Sequence, residues 1–379
     1  MRKKILFRIH SMERGERQNI LLSILNSLDI KKYEPMVLLD IFQGELLKAI
    51  PVHVPMFFIA KGEEFYKQNI GLRFFRGLSR GMRLSMYHHF PKSFMKKMDM
   101  PIPDIEIAMM DSVLEDLIKS PFKKSRKINW FHSDKGLDSK NEGKQLLSLT
   151  HQCDITIFIS HIIKSDAERC LGTEVYNGIF IRNLYNVKEI KYRSLEPLGD
   201  DQLLLDQDKI TFVSVGSLDY QNGYNVLIEA HWELMKEGID HRIIVIGDGP
   251  DYSSLRKKIK SLGIENSFHL LGNKENPYPY IAKATYYIQP LCYRAYSLSV
   301  EEAIILGKPV ISTYDLATKG LLFQDKTGLL INFSKYGLKK GIKKFLLDTD
   351  FVTHLDKNLK SLDFSQYDEY ACEQLEEIL

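Results

Sequence analysis

The chain has 379 residues, 44% hydrophobic and 27% charged, with a formal net charge of +3. That length suits two domains of roughly 150–200 residues each, and the balance excludes a disordered or collagen-like chain. Such mild basicity asks for no nucleic acid, the four cysteines show neither a disulfide framework nor a CxxC zinc spacing, and no apolar run reaches the roughly 18 residues of a membrane span.

At the start, "MRKKILFRIHS" has basic residues before a short apolar run. Arg8 interrupts that run and no small-residue cleavage site follows, so the segment reads as a first β-strand and not as a signal peptide. With sparse cysteines, the expected location is cytoplasmic, at most peripheral at the inner face of a membrane. "HSMERGERQ" is a polar loop, "NILLSILNSL" has helical spacing, and "EPMVLLDI" is a second buried strand. This β–α–β start belongs to a parallel sheet covered by helices. Within 65–99, Arg73, Arg76, Arg80, Arg83, Lys92, Lys96 and Lys97 stand against the single acid Asp99. Phe74, Phe75, Leu78, Met82 and Leu84 interleave with the arginines at near-helical spacing. One reading is an amphipathic segment resting on anionic lipid; the other is a solvated helix face with an inward apolar stripe. "DIEIAMM", "KINWFH" and "ITIFIS" follow as short strands, with a helix at "SVLEDLIKS".

Residues 184–208 are polar and lack a continuous apolar period, so a linker lies inside that stretch. The alternation then restarts with "KITFVSVGSL", "NVLIEAHWELMKEG", "HRIIVIGDGP", "SLRKKIKSLG" and "SFHLLG". The expected fold is therefore α/β, two Rossmann-like doubly wound domains facing a cleft. The boundaries read as 1–190, a linker at 191–208, 209–355, and a helical tail at 356–379 that packs back on the first domain.

Residues 286–313, "YYIQPLCYRAYSLSVEEAIILGKPVIST", read as strand, loop, helix and strand. Leu306 ends the helix, Gly307 caps it, and Pro309 starts the next strand. Ser299 and Glu302 match an S-x-x-E capping box, a local role for Glu302 worth about 1 kcal/mol. Alternatively, the amides of 298–300 receive an anion at the helix N-terminus, and Glu302 accepts hydrogen bonds from a hydroxyl-rich ligand such as ribose. The local sequence leaves both readings open.

Across the second half the sequence resembles the family-4 glycosyltransferases, retaining enzymes of the GT-B fold. The resemblance is carried, in order, by "FVSVGSLDYQNGYNVLIEA", "VIGDGPDYSSLRKKIKSLGIENSFHLLGNKENPYPYIAKA", "YRAYSLSVEEAIILGKPVIST" and "DKTGLLI". The first half fits more loosely, through the opening strand, loop and helix, "KINWFHSD" and "FIRNLYNVKEI". The resemblance implies that a nucleotide-diphosphate sugar docks on the second domain and that a lipid-linked or polysaccharide acceptor approaches from the first. It implies donor contacts at Gly216, Ser217, Asn222, Gly272, Asn273, Arg294, Leu298, Ser299 and Glu302. Arg14 and Gly15 fall in the acceptor-side loop, and His132 and Glu302 are the matching catalytic positions. His132, following Trp130-Phe131 at a strand end, also has a purely structural reading as a hydrogen-bonding residue. No metal or other cofactor is expected, because a helix N-terminus and side-chain cations can meet the diphosphate charge. Asp206-Gln207-Asp208 reads as a solvated linker sequence and not as a metal site.

Several positions depart from the family pattern. Ser217 and Asn222 stand where the family usually has Arg and Lys, Arg294 replaces the first Glu of E-x7-E, and Glu13-Arg14 replace a glycine pair. Losing two charge-assisted hydrogen bonds costs roughly 3–6 kcal/mol. Arg294 has three readings: it neutralises the diphosphate, it binds a carboxylate on an acidic donor sugar, or it marks a site that no longer works. The leading function is a retaining glycosyltransferase. The alternative is a catalytically degenerate relative acting as a partner or glycan-binding subunit. A sugar-nucleotide epimerase shares the two-domain shape but has no acid–base cluster to support it.

Overall fold

The computed structural model describes residues 2–13, 15–62, 70–131, 142–205, 209–292, 297–313, 324–364 and 366–379. The chain divides into two units: residues 1–185 with 369–379, and residues 186–368.

In the first unit the strands are β1 (Lys3–Ile9), β2 (Tyr33–Phe42), β3 (Met56–Lys61), β4 (Ile105–Ala108), β5 (Arg126–Phe131), β6 (Ile155–Phe158) and β7 (Gly178–Phe180). They form one parallel sheet in the order β3-β2-β1-β4-β5-β6-β7. Helices α1 (Glu16–Ser27), α2 (Ile70–His89), α3 (Pro91–Lys97), α4 (Leu114–Ile118), α5 (Glu142–Thr150) and α6 (His161–Leu171) connect them. Ile5, Leu6, Phe7 and Ile9 of β1 are all enclosed, as a strand covered on both faces requires. The interruption at Arg8 is a buried ion pair: its Nε donates to Glu106 Oε2 (3.0 Å) and its Nη1 to the Tyr87 hydroxyl (2.7 Å). Burial pushes the Glu106 carboxyl up, but Arg8 and Lys127 hold it below the usual carboxylate range.

α2 has one buried face and one exposed face. Leu84 and Tyr87 pack inward with Leu6, Met36 and Met95. On the other side Leu78, Met82, Met86 and Phe90 are 57%, 64%, 52% and 63% exposed. Leu78, Met82 and Met86 recur at i, i+4 and form one apolar stripe along the helix, with Phe90 just past its end. The chain's last residues return to this unit, where Lys32 Nζ meets Glu376 Oε2 (2.6 Å) and Lys3 Nζ meets Leu379 O (2.6 Å).

The second unit begins with α7 (Val187–Arg193) and a 3-10 turn at Gly199–Leu204, so much of the stretch read as a linker is ordered here. Its sheet has β8 (Thr211–Val215), β9 (Arg242–Ile246), β10 (Phe268–Leu270), β11 (Tyr286–Gln289), β12 (Val310–Thr313) and β13 (Gly328–Ile331). All pairs are parallel, in the order β10-β9-β8-β11-β12-β13. Helices α8 (Tyr224–Lys236), α9 (Tyr252–Ser261), α10 (Tyr278–Lys283), α11 (Leu298–Ile305), α12 (Lys335–Leu347) and α13 (Thr349–Ser361) intervene and follow; α14 (Tyr367–Ile378) closes the chain. Both sheets are thus doubly wound, as the alternation of strands and helices implies.

One polar chain crosses the second core. His231 and His241 are both fully enclosed. His241 Nδ1 lies 3.0 Å from Ile239 O, its Nε2 lies 2.9 Å from His231 Nδ1, and His231 Nε2 lies 2.8 Å from Ser267 Oγ. A carbonyl can only accept, so His241 donates there and its Nε2 accepts from His231. The Ser267 hydroxyl completes the chain by donating to His231 Nε2 (2.8 Å) in preference to the more distant Ile264 O (3.2 Å). Every nitrogen is satisfied with both rings neutral.

Candidate functional site

In the second sheet the chain runs outward from β8 to β10 and then returns to place β11 on the other side of β8. The carboxyl ends of β8 and β11 are therefore a topological switch point, where open α/β sheets bind ligands. The loops after these strands carry most of the candidate donor positions.

After β8 come Gly216 and the exposed Ser217, then a short 3-10 turn at Tyr220–Asn222 capped by Asp219. Asn222 Nδ2 donates to Asp219 Oδ1 (3.1 Å), and Asn222 Oδ1 accepts from Gln289 Nε2 (3.3 Å). Asn222 thus uses both ends of its amide to tie the β8 loop to β11. Gly223 follows with φ +67°, and a Cβ there would lie 1.9 Å from Pro290 O. Only glycine allows the two loops to approach this closely. Gly272 and the exposed Asn273 follow β10, where Gly272 O accepts the Gly247 N–H (2.9 Å).

α11 corrects the capping-box reading. Its N-cap is Ser297, without a side-chain cap bond, so Ser299 and Glu302 lie inside the helix. The Ser299 hydroxyl bonds Tyr287 instead. The Val300 N–H is taken by Ser297 O (3.2 Å), which removes it from the amides expected to be free. At the far end Gly307 takes φ +72° and ends the helix as the sequence implies.

Glu302 is 8% exposed, and Tyr278 at the start of α10 donates its hydroxyl to Oε1 (3.0 Å). The Arg193 guanidinium lies 5.5 Å from the Tyr278 ring centroid. Burial pushes the Glu302 carboxyl up to about 7, against the hydrogen bond from Tyr278 and the charge of Arg193. Burial and the neighbouring carboxylate also push the Tyr278 phenol up. A buried carboxyl poised near neutrality marks a functional candidate. No sequence spacing flags Tyr278 or Arg193. The only signal is an aromatic residue in the "NPYPY" segment, which becomes meaningful once α10 is set beside α11.

The structure therefore gathers Gly216, Ser217, Asn222, Gly272, Asn273, Leu298, Ser299 and Glu302 on loops and helix starts at the carboxyl edge of one sheet. Gly15 is the N-cap of α1 in the first unit, where the following turn is held by Gln18 Nε2 donating to Ser11 O (3.0 Å). Arg14, His132, Arg294 and Asp206-Gln207-Asp208 lie outside the described residues. Among the described residues no group of three His, Cys, Asp or Glu side chains is placed to hold a metal ion.

Residues 199–362 match the sequence profile of the family described as Glycosyl transferases group 1. An uncharacterised glycosyltransferase of Methanocaldococcus jannaschii is 27% identical over 133 residues, 35% of this chain and 33% of that protein. A second relative is the N-acetylgalactosamine-N,N'-diacetylbacillosaminyl-diphospho-undecaprenol 4-alpha-N-acetylgalactosaminyltransferase of Campylobacter jejuni. It is 28% identical over 167 residues, 44% of each chain. The match thus spans less than half the length of these curated relatives. In fold the likeness covers the whole chain: the Anabaena protein HepE, solved in complex with UDP, superposes with a TM-score of 0.74 over 99% of both chains at 17% identity. The chain therefore has the two-Rossmann-domain GT-B fold, and its second unit carries a segment of the group 1 glycosyl transferase type.

Proposed function

We propose that the protein is a glycosyltransferase that moves a sugar from a nucleotide-diphosphate donor to a lipid-linked or polysaccharide acceptor, with retention. The observation that carries this reading is Glu302: a buried carboxyl in the second turn of α11, in the segment that matches the glycosyl transferase family. Its second oxygen, without a hydrogen bond among the described residues, suits the hydroxyls of a nucleotide sugar, while the Leu298 and Ser299 amides and the helix dipole suit a diphosphate. Retention rests on the resemblance to family 4. The donor charge is met without a metal ion in this account, and Arg294 supplies the cation that Ser217 and Asn222 do not. UDP is the first nucleotide to test, since HepE binds it.

The acceptor is lipid-linked in this reading, as in the relative from Campylobacter. The stripe of Leu78, Met82, Met86 and Phe90 beside exposed Arg83, Lys92, Lys96 and Lys97 fits a surface resting on anionic lipid at the cytoplasmic face. No helix among the described residues is long and apolar enough to cross a membrane.

The test is release of nucleoside diphosphate from UDP-, GDP- and ADP-sugars, with and without an undecaprenyl-diphosphate-linked glycan and with EDTA. The proposal expects acceptor-dependent release from one donor that survives chelation. The uncharged Ser217 and the internally bonded Asn222 favour a second reading, a degenerate transferase that binds a partner or glycan. Absence of both nucleotide binding and release would establish that reading.

A further inference from the structure

Glu302 is held from behind by a connected group of side chains. Asn276 joins the end of α7 to the start of α10: its Nδ2 donates to Arg193 O (2.7 Å) and to Glu196 Oε2 (2.8 Å), and its Oδ1 accepts from Tyr278 N–H (3.1 Å). Arg193 is fixed further by Nη2 donating to Glu275 O (3.2 Å). The guanidinium sits against the Tyr278 ring, and the Tyr278 hydroxyl bonds Oε1 of Glu302. Among the described residues Glu302 Oε2 has no hydrogen bond. The carboxylate is thus held through one oxygen.

We propose that Tyr278, backed by Arg193, is the positioning residue of the donor site. It fixes Oε1 and presents Oε2, in its ionised form, to a ligand hydroxyl. The inference rests on the reading of Glu302 as a donor contact. The charged and titratable groups around the carboxyl are Tyr278 from α10, Arg193 from α7 and Tyr287 from β11, while Glu189 acts on Tyr278. Of these, the Tyr278 hydrogen bond and the Arg193 charge both favour the carboxylate. Removing either keeps Glu302 neutral to higher pH, where it is a poorer acceptor for a hydroxyl.

The experiment is calorimetric binding of UDP, or of GDP or ADP if one of these binds instead, between pH 6 and 9. Wild type is compared with Tyr278→Phe, Arg193→Gln and Glu302→Gln. Wild-type affinity should rise about tenfold between pH 6 and 8, as the ionised fraction of a group titrating near 7 rises. Glu302→Gln should be weak and free of that rise, so its profile removes the titration of the nucleotide's own phosphate. Tyr278→Phe and Arg193→Gln should each move the midpoint to higher pH, and Tyr278→Phe should also lower the alkaline affinity severalfold because Oε1 is no longer held. A merely structural tyrosine would lower affinity at every pH and leave the midpoint in place, which overturns the proposal. A wild-type profile indistinguishable from Glu302→Gln, or no binding of any of the three nucleotides, overturns the donor-contact reading beneath it.

Discussion

Acidification should weaken the second unit through its buried histidine chain. Burial holds His231 down to about 2, far below its ordinary 6.5, and His241 is lowered for the same reason. Between pH 6.5 and 2 the unfolded chain therefore binds a proton at His231 that the folded chain refuses. Stability from this group is complete above pH 6.5 and is lost progressively as pH falls below it. One pH unit corresponds to about 1.4 kcal/mol, so moving from pH 6.5 to 5.0 should remove about 2 kcal/mol from His231 alone. For a unit of this size that is a fall in Tm of about 4–8 °C. The assay is thermal unfolding at pH 7.5 and 5.0, followed by tryptophan fluorescence. Trp130 reports on the first unit, and Trp232, next to His231, reports on the second. His231→Gln should melt lower than wild type at pH 7.5, because a bond in the chain is lost, but should fall much less on acidification. If wild type and His231→Gln lose the same number of degrees between the two pH values, the neutral-chain account is wrong.

Three further outcomes follow from the geometry. Glu302→Gln removes a charge-assisted acceptor worth about 1.5–3 kcal/mol, so nucleotide affinity at pH 8 should fall roughly 10- to 150-fold in calorimetry with the fold's Tm retained. Gly223→Ala places a Cβ 1.9 Å from Pro290 O at φ +67°; urea unfolding should show a loss of at least about 1–3 kcal/mol, and an unchanged midpoint would mean the two loops do not meet as described. Met82→Glu with Met86→Glu should lower sedimentation with phosphatidylglycerol vesicles at least tenfold, given about 1.5–3 kcal/mol per buried methionine. Binding that ignores these substitutions yet falls with salt would leave the apolar stripe out of the contact.

Much of the fold was legible because strands covered on both faces read as short apolar runs. "KKILFRI", "EPMVLLDI" and "HRIIVIGDGP" all hold strands at the expected places. β3 was harder: "MFFIAK" sits behind a proline-punctuated stretch, and its face is only partly enclosed at the edge of the sheet. β7 has three residues, too few for a period. The helix start at α11 shows a different limit. "SLSVEE" contains two serines, and the S-x-x-E spacing selects Ser299 with Glu302. Tertiary partners decide otherwise, because Tyr287 takes the Ser299 hydroxyl and Tyr278 takes Glu302. Tyr278 lies 24 residues before Glu302 and Arg193 lies earlier still, so their convergence belongs to the packing of three helices and leaves no trace in spacing. The histidine chain is similar: single polar residues inside "EAHWEL" and "DHRII" hint at burial, but their mutual contact needs the sheet.

On the proposed function, the second unit binds the diphosphate portion of a nucleotide sugar. The most direct measurement of this is Tm with UDP, GDP and ADP, each at several concentrations and without added metal. At 100 times its dissociation constant the correct nucleotide should stabilise the protein by roughly 2.7 kcal/mol, and Glu302→Gln should reduce that shift at the same concentration. A shift with one nucleotide that depends on Glu302 is the predicted result. No shift with any of the three, at millimolar concentration, would contradict the donor site and leave the degenerate, partner-binding reading in its place.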